Sequence, residues 1–222
     1  RDPDYYGQVE RSLTSSLKRL NRDQVTLIQL HNPIGRETKA SVIGINEVMK
    51  PHGVLDAFDN MKMQGLAQHI GITGLGETPA LIRIIKSNRL ATIQLLYNLL
   101  NASAGISLPS SWSCYNFTGL IDTCFEHDVA VFGIRAFAAG ILATEKRHGR
   151  EQPLTSPDTV ASEEIKQQHL SQALYGNPNP QVKLALRFAL SQPRIDAIII
   201  GLAERKHLEV ALEAEESGPL DA

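Results

Sequence analysis

The sequence has few of the residue types that mark specialised classes of protein. Its 222 residues include two cysteines, one tryptophan and 5% aromatic residues. Cys114 and Cys124 form no CxxC pair and have no metal-ligand spacing, so we expect reduced thiols and a cytoplasmic location. No pair of histidines has the spacing of a metal site. The sequence therefore predicts neither a disulfide scaffold nor a metal centre.

An excess of charge is also missing. Lysine and arginine total 22 and aspartate and glutamate total 24, for a formal net charge of -2. No basic stripe is visible, which argues against a nucleic-acid partner. No apolar run is long enough to span a bilayer and no signal peptide is present, so we expect no membrane partner.

What the sequence does contain is an ordinary globular composition, with 42% hydrophobic and 21% charged residues. The length is sufficient for one domain over residues 1–222 with a sizeable core. Amphipathic helical patterns alternate with short apolar runs. The first helical face is carried by residues spaced four, four and three apart, namely Val9, Leu13, Leu17 and Leu20.

Apolar runs predict five strands, at Val25–Leu30, His69–Thr73, Thr92–Tyr97, Val129–Ile134 and Ile195–Ile200. Their apolar positions run on rather than alternate, which is typical of parallel strands buried on both faces. The segment 34–50 is predicted to be a loop, and Thr78 to cap a helix that begins with Pro79. An eight-stranded barrel needs more strands than five, and a doubly wound sheet is the alternative, although no GxGxxG follows a first strand.

A polar triplet ends the first predicted strand. His31, Asn32 and Pro33 follow Leu30 directly, and proline cannot continue a buried strand. In parallel α/β proteins the carboxyl ends of the strands hold the chemistry. His31 is therefore a candidate proton handler, because its unperturbed pKa lies near neutrality. The alternative is that it only satisfies local backbone groups.

Several segments resemble the aldo-keto reductases, in the order in which that family has them. They cover nearly the whole chain and are SLTSSLKRLNRDQVTLIQLHNP, GVLDAFDNMKMQGLAQHIGIT, IQLLYNLLN, HDVAVFGIRAFAAGIL and LALRFALSQPRIDAIIIGLAERKHLEVAL. The resemblance implies a (β/α)8 TIM barrel, here incomplete, with about five C-terminal βα units. It also implies NAD(P)H-dependent interconversion of an alcohol and a small-molecule carbonyl, which is an aldehyde, ketone or sugar.

In that family a tyrosine protonates the carbonyl oxygen, assisted by a lysine paired with an aspartate. Tyr6 has the required spacing to neither Asp2 nor Asp4, and no strand ending in lysine precedes His31. We therefore expect these three residues to lie upstream of Arg1, and the 222-residue chain alone to lack reductase turnover. The alternative is a catalytically inactive protein that binds a nucleotide or a partner.

The resemblance also assigns individual positions. His31 matches the histidine that orients the carbonyl. Thr73, Gly74 and Gln94 match the residues that hold the nicotinamide carboxamide.

The remaining cofactor positions follow in the second half of the chain. Ile134 stands where the family stacks an aromatic ring, and Arg135 and Gly140 belong to the side facing the pyrophosphate. The adenosine side falls on Gly201, Leu202, Ala203 and His207. The implied cofactor is NADP or NAD, which these residues do not distinguish.

Overall fold

A computed structural model describes residues 3–109, 112, 115–144, 149, 160–173 and 181–220. In these residues the architecture is α/β, with a parallel sheet of five main strands and one pair of two-residue strands. The elements in chain order are α1 (Tyr5–Leu20), β1 (Val25–Leu30), β2 (Ile34–Gly35), β3 (Ile43–Gly44), α2 (Ile45–Met49), α3 (Val54–Met63), β4 (Ala67–Thr73), α4 (Thr78–Ile85), β5 (Thr92–Leu96), α5 (Leu120–Glu126), β6 (Ala130–Ile134), α6 (Val160–Ala173), α7 (Gln181–Leu190), β7 (Ala197–Ile199) and α8 (Arg205–Glu216).

The five predicted strands are confirmed as β1, β4, β5, β6 and β7, each within two residues of the predicted bounds. The main strands are paired in chain order. Contacts divide the chain into two compact units. The first contains Arg1–Gln94 and Thr123–Ala130, and the second contains Leu95–Asp122 and Val131–Ala222.

The first unit is organised by the parallel pairing of β1 with β4 and of β4 with β5. Its pairs include Gln29 with Gly71, Leu30 with Ile72, Gly71 with Thr92, Ile72 with Ile93 and Thr73 with Gln94. Neighbouring residues of paired strands share a face, and successive residues alternate between faces. Ile72 and Ile93 are completely buried on one face. The other face carries Gln29, Thr73 and Gln94, so the sheet separates an apolar face from a polar one.

Helix α1 packs its apolar face against the same unit. Leu13 and Leu17 form a buried cluster with Met61, and Val9 packs against it. Leu20, the fourth residue of the predicted face, is 59% exposed because it is the last residue of the helix. The chain turns there, at Asn21, which has the left-handed φ of 51°.

A glycine follows the end of α3. Gly65 has a φ of 73°, and its N–H donates to the carbonyl of Lys62. The next N–H, of Leu66, donates to the carbonyl of Met61. These two bonds form a Schellman motif, in which a residue of positive φ closes the helix.

Two local predictions are wrong. The segment 34–50 is not a loop throughout, because Ile34–Gly35 pairs with Ile43–Gly44 and α2 follows. Thr78 does not cap α4, because it is already helical, and Glu77 occupies the cap without a side-chain hydrogen bond. Local spacing could not reveal the strand pair, because its partner residues come together only through the intervening turn.

The second unit contains the pairing of β6 with β7 and a cluster that includes Leu100, Ile141, Leu142 and Ala185. Tyr97 stacks on Phe188, with ring centroids 5.3 Å apart. None of the described helices is both long enough and apolar enough to cross a membrane. Cys124 is buried, and Cys114 lies outside the described residues.

Gly76 is the glycine whose replacement the backbone tolerates least. Its φ is 122°, and a Cβ there would lie 2.0 Å from the carbonyl oxygen of Ile34. We expect Gly76→Ala to lower the free energy of unfolding by about 3 kcal/mol or more, measured by urea denaturation. The control is Gly65→Ala, which has no neighbouring atom within 4 Å and incurs only the left-handed penalty of about 1 kcal/mol. Equal losses in the two variants would contradict this assignment.

An ion network joins α3 to the segment after α4. Arg89 Nη2 donates to Asp56 Oδ1 at 2.8 Å, and its Nε donates to Asp59 Oδ2 at 3.0 Å. Burial favours a higher pKa for Asp56, but the hydrogen bonds from Arg89 and from the His52 N–H outweigh it and lower that pKa. A lowered pKa in the folded state stabilises the fold above the unfolded-state pKa and loses that effect as the pH falls through the folded one.

Removing Arg89 should therefore change the acid dependence of stability. We expect Arg89→Met to lower the free energy of unfolding more at about pH 6 than at about pH 3, because Asp56 is increasingly protonated at the lower pH. Urea denaturation at both pH values measures the difference. Arg83→Met, an exposed arginine on α4, should have little effect at either pH. A loss that is the same at both pH values would exclude the ion network as its cause.

Candidate functional site

The polar face of the first unit brings three predicted site residues into one row. Thr73 pairs with Gln94 across β4 and β5. Leu30 pairs with Ile72, so His31 is the next residue along β1 as Thr73 is along β4. His31 follows β1 and Thr73 is the last residue of β4, whereas Gln94 lies in the middle of β5, so the three residues form one row across adjacent parallel strands.

At the end of β4, Thr73 contributes a side-chain group and Gly74 a backbone group. Thr73 is 3% exposed, and its side chain makes no hydrogen bond to the described residues. The N–H of Gly74 donates to the backbone carbonyl of Gln94 at 2.7 Å. Thr73 thus offers a hydroxyl for hydrogen bonding, whereas Gly74 holds the turn to the neighbouring strand through its backbone.

Gln94 has a partner that the sequence analysis did not name. Its Nε2 donates to Oε1 of Gln29 at 3.0 Å. Gln29 Nε2 is buried and has no hydrogen-bond partner in the part of the chain that the structure describes. A buried N–H of this kind is uncommon in protein interiors. The signal for it in the sequence is a single amide inside the apolar strand VTLIQL.

His31 is exposed beside a groove of about 390 Å³. The groove is also lined by Tyr5, Asn32, Gln29 and apolar residues of α3. The imidazole therefore has access to a small molecule, and it is not enclosed in the core.

The two tyrosines at the start of α1 have hydrogen bonds to carboxylates. Tyr5 Oη donates to Glu47 Oε2 at 2.7 Å, and Tyr6 Oη donates to Glu10 Oε1 at 3.1 Å. The hydrogen bonds from Lys50 and Tyr5 lower the pKa of Glu47. Both hydroxyl protons thus point to carboxylates, which supports the prediction that Tyr6 is not the family's proton donor.

In the second unit, Arg135 follows β6 in a strained conformation. Its φ is 61°, which is the left-handed region, and its side chain is half-buried. Burial lowers the pKa of Arg135, and the nearby Glu163 carboxylate opposes that shift. A partly desolvated guanidinium is suited to pairing with an anion, because little water competes for it.

Strain continues along the same loop. Ala138, Ala139 and Gly140 have φ values of 45°, 59° and 100°. Such conformations persist where the surrounding structure holds them, and they concentrate at functional sites. The predicted pyrophosphate side, Arg135 and Gly140, therefore coincides with the left-handed non-glycine residues that the structure describes in this unit.

Asn98 holds this loop in place. Its Nδ2 donates to the carbonyl of Arg135 at 2.8 Å, and its Oδ1 accepts from the N–H groups of Leu100 and Asn101 at 2.9 Å each. Asn98 is only 3% exposed. This role could not be read from the sequence, although the motif segment IQLLYNLLN contains Asn98.

The predicted adenosine side lies between β7 and α8. Gly201, Leu202, Ala203 and His207 are all exposed. The N–H of Ala203 donates to Nδ1 of His207 at 3.3 Å, which closes the turn into the helix. Ile134 is half-buried and pairs with Ile199, so it lies next to the strand that leads into this turn. The predicted positions thus occupy consecutive strand ends of the second unit.

Comparison with known proteins agrees with this arrangement. The model of the aldo/keto reductase family matches residues 4–222. No curated protein matches the sequence.

Two solved structures share the fold. The holo form of the aldo-keto reductase AKR11C1 from Bacillus halodurans is 21% identical, with a TM-score of 0.67 over 100% of this chain and 65% of that chain. The apo form is 20% identical, with a TM-score of 0.68 over 98% of this chain and 65% of that one. The chain thus spans 65% of the length of these structures.

A parallel α/β fold with polar strand ends, together with a family match over almost the whole sequence, defines the class. The chain belongs to the aldo/keto reductase family. This confirms the family resemblance drawn from the sequence segments. Members of this family are oxidoreductases that generally use NAD(P)H to reduce small-molecule carbonyl compounds.

The hydrogen bonds of Asn98 can be tested through stability. We expect Asn98→Leu to lower the free energy of unfolding by about 2–3 kcal/mol, because it leaves the Arg135 carbonyl and the Leu100 N–H without their partner. Chemical denaturation measures the loss. The control, Asn116→Leu, removes an exposed Asn that accepts from the Thr118 N–H, and should have a much smaller effect. A loss for Asn98→Leu no larger than the control's would show that Asn98 does not hold the loop.

Proposed function

We propose that residues 1–222 belong to one aldo-keto reductase-type domain, which binds NADP or NAD and serves the reduction of an aldehyde, ketone or sugar. The observation that carries this proposal is the row formed by His31 after β1, Thr73 at the end of β4 and Gln94 within β5. A hydroxyl, an amide and an imidazole at one sheet edge can together hold a carboxamide and a carbonyl.

The residues of the first unit fit the nicotinamide end of such a cofactor. Thr73 offers a hydroxyl and Gln94 offers its Oε1, neither of which bonds to another described residue. When bound, the nicotinamide supplies a hydride. The proposed role of His31 is to orient the substrate carbonyl by donating an N–H to its oxygen, where negative charge develops.

The second unit supplies proposed contacts for the rest of the dinucleotide. Arg135 is suited to a phosphate oxygen, with Gly140 at the same loop. Ile134, where the family has an aromatic ring, would offer an aliphatic side chain without a π face. In this proposal the adenosine side is held by Gly201, Leu202, Ala203 and His207. A cytoplasmic location and an eight-stranded barrel, of which this chain carries about five units, are parts of the same proposal.

A second candidate function is dinucleotide or partner binding without turnover. It rests on the sequence, in which Tyr6 has the family's spacing to neither Asp2 nor Asp4 and no strand ending in lysine precedes His31. The product of the complete coding sequence distinguishes the two. Quenching of protein fluorescence by NADPH and NADH measures binding, and loss of absorbance with a panel of aldehydes, ketones and sugars measures reduction. Binding with no reduction of any carbonyl would select the second function.

His31→Ala tests the chemistry directly. In the product of the complete coding sequence we expect kcat to fall about 100-fold, because the carbonyl oxygen loses a hydrogen-bond donor in the transition state. The dissociation constant of the cofactor should change less than about twofold, since His31 contacts the substrate in this proposal.

The control is His69→Ala, which replaces an exposed histidine on β4 and should leave both values unchanged. Equal loss of turnover and of cofactor binding in His31→Ala would remove His31 from the chemistry.

A further inference from the structure

We propose that Gln29 is a positioning residue that orients the amide of Gln94 toward the nicotinamide carboxamide. The inference rests on the proposed function, because it needs a nicotinamide cofactor at this sheet face. It goes beyond that function by naming the side chain that orients the Gln94 amide, so that the amide oxygen faces the nicotinamide carboxamide.

The hydrogen bond between the two amides decides which end of Gln94 is available. Gln94 Nε2 donates to Gln29 Oε1 at 3.0 Å. A primary amide carries its donors on one side and its acceptor on the other, and without a partner it turns freely about its last torsion. Because the bond holds the nitrogen, Oε1 of Gln94 is left to accept from the NH₂ group of a carboxamide.

Gly71 makes this contact possible. It lies in β4, between the strands that carry the two glutamines, and it pairs with Gln29 on one side and Thr92 on the other. A Cβ at Gly71 would lie 3.1 Å from Cγ of Gln29 and 2.3 Å from Oγ1 of Thr92. The missing side chain therefore leaves room for two amides from non-adjacent strands to meet across β4.

The surroundings of Gln29 indicate that its Oε1 atom, rather than its Nε2 atom, has the positioning role. Its Nε2 is buried without a partner in the described residues, which costs folding free energy that a methionine or leucine would avoid. The residue thus has an unfavourable feature that simple packing does not require. Its Oε1, in contrast, makes the only hydrogen bond that the Gln94 side chain has among those residues.

The experiment compares ligands with and without nicotinamide on the product of the complete coding sequence. Calorimetry measures NADPH against 2′-phospho-ADP-ribose, and NADH against ADP-ribose. Gln29→Met keeps the volume and loses the acceptor, so we expect about tenfold weaker binding of the nicotinamide ligand and no change for its nicotinamide-free counterpart. Gln29→Glu keeps an acceptor oxygen and should bind closer to the unsubstituted protein than Gln29→Met does.

A matched control uses the other amide pair of the same unit. Gln68 Nε2 donates to Gln24 Oε1 at 2.7 Å, and both residues are exposed. Gln24→Met should leave both ligands unaffected. Because the two glutamines act as one unit, Gln29→Met combined with Gln94→Met should weaken NADPH no more than Gln94→Met alone.

Each other outcome overturns the proposal in a recognisable way. Equal weakening of both ligands by Gln29→Met would show a merely structural role, and an unchanged NADPH affinity would show no role. Failure of the unsubstituted protein to bind either dinucleotide would overturn the proposed function itself, before any variant is compared.

Discussion

The parallel register of β1, β4 and β5 is the constraint on which the candidate site depends. A one-residue shift in any of these strands would move its side chains to the opposite face. In the observed register, Thr73 and Gln94 are paired, and His31 follows Leu30 opposite the step from Ile72 to Thr73. The buried isoleucines stabilise this register, because any shift would expose them. The register that buries the isoleucines is therefore also the register that brings the site residues together.

Glycine gives that register its functional consequence. At Gly71 the absence of a side chain lets Gln29 and Gln94 meet, whereas at Gly76 it lets the chain pass the backbone of Ile34. Gly71 is needed only because a side chain would not fit there, whereas Gly76 is needed for that reason and also because its φ is positive. Each one allows a close approach that an alanine would prevent, and each lies on or directly after β4.

In the second unit, a buried asparagine holds the loop that is proposed to contact the phosphates. Arg135, Ala138 and Ala139 hold left-handed conformations without being glycines. Asn98 offsets the cost of these conformations, since its buried amide forms hydrogen bonds with the Arg135 carbonyl and with two N–H groups of its own loop. A rigid, hydrogen-bonded asparagine thus keeps a strained loop in one conformation. The proposed phosphate contacts depend on that rigidity.

The sequence alone determined the five main strands, the parallel α/β class and the family, because hydrophobic periodicity and ordered motifs are local properties of the chain. It also placed His31 and Thr73 where strands end, since proline and glycine mark where strands stop. Only the tertiary structure decided that Gln29 meets Gln94, that β2 pairs with β3 and that Asn98 bonds Arg135. These contacts join residues whose approach depends on register and on the space left by glycine, and neither is encoded in the spacing of residues along the chain.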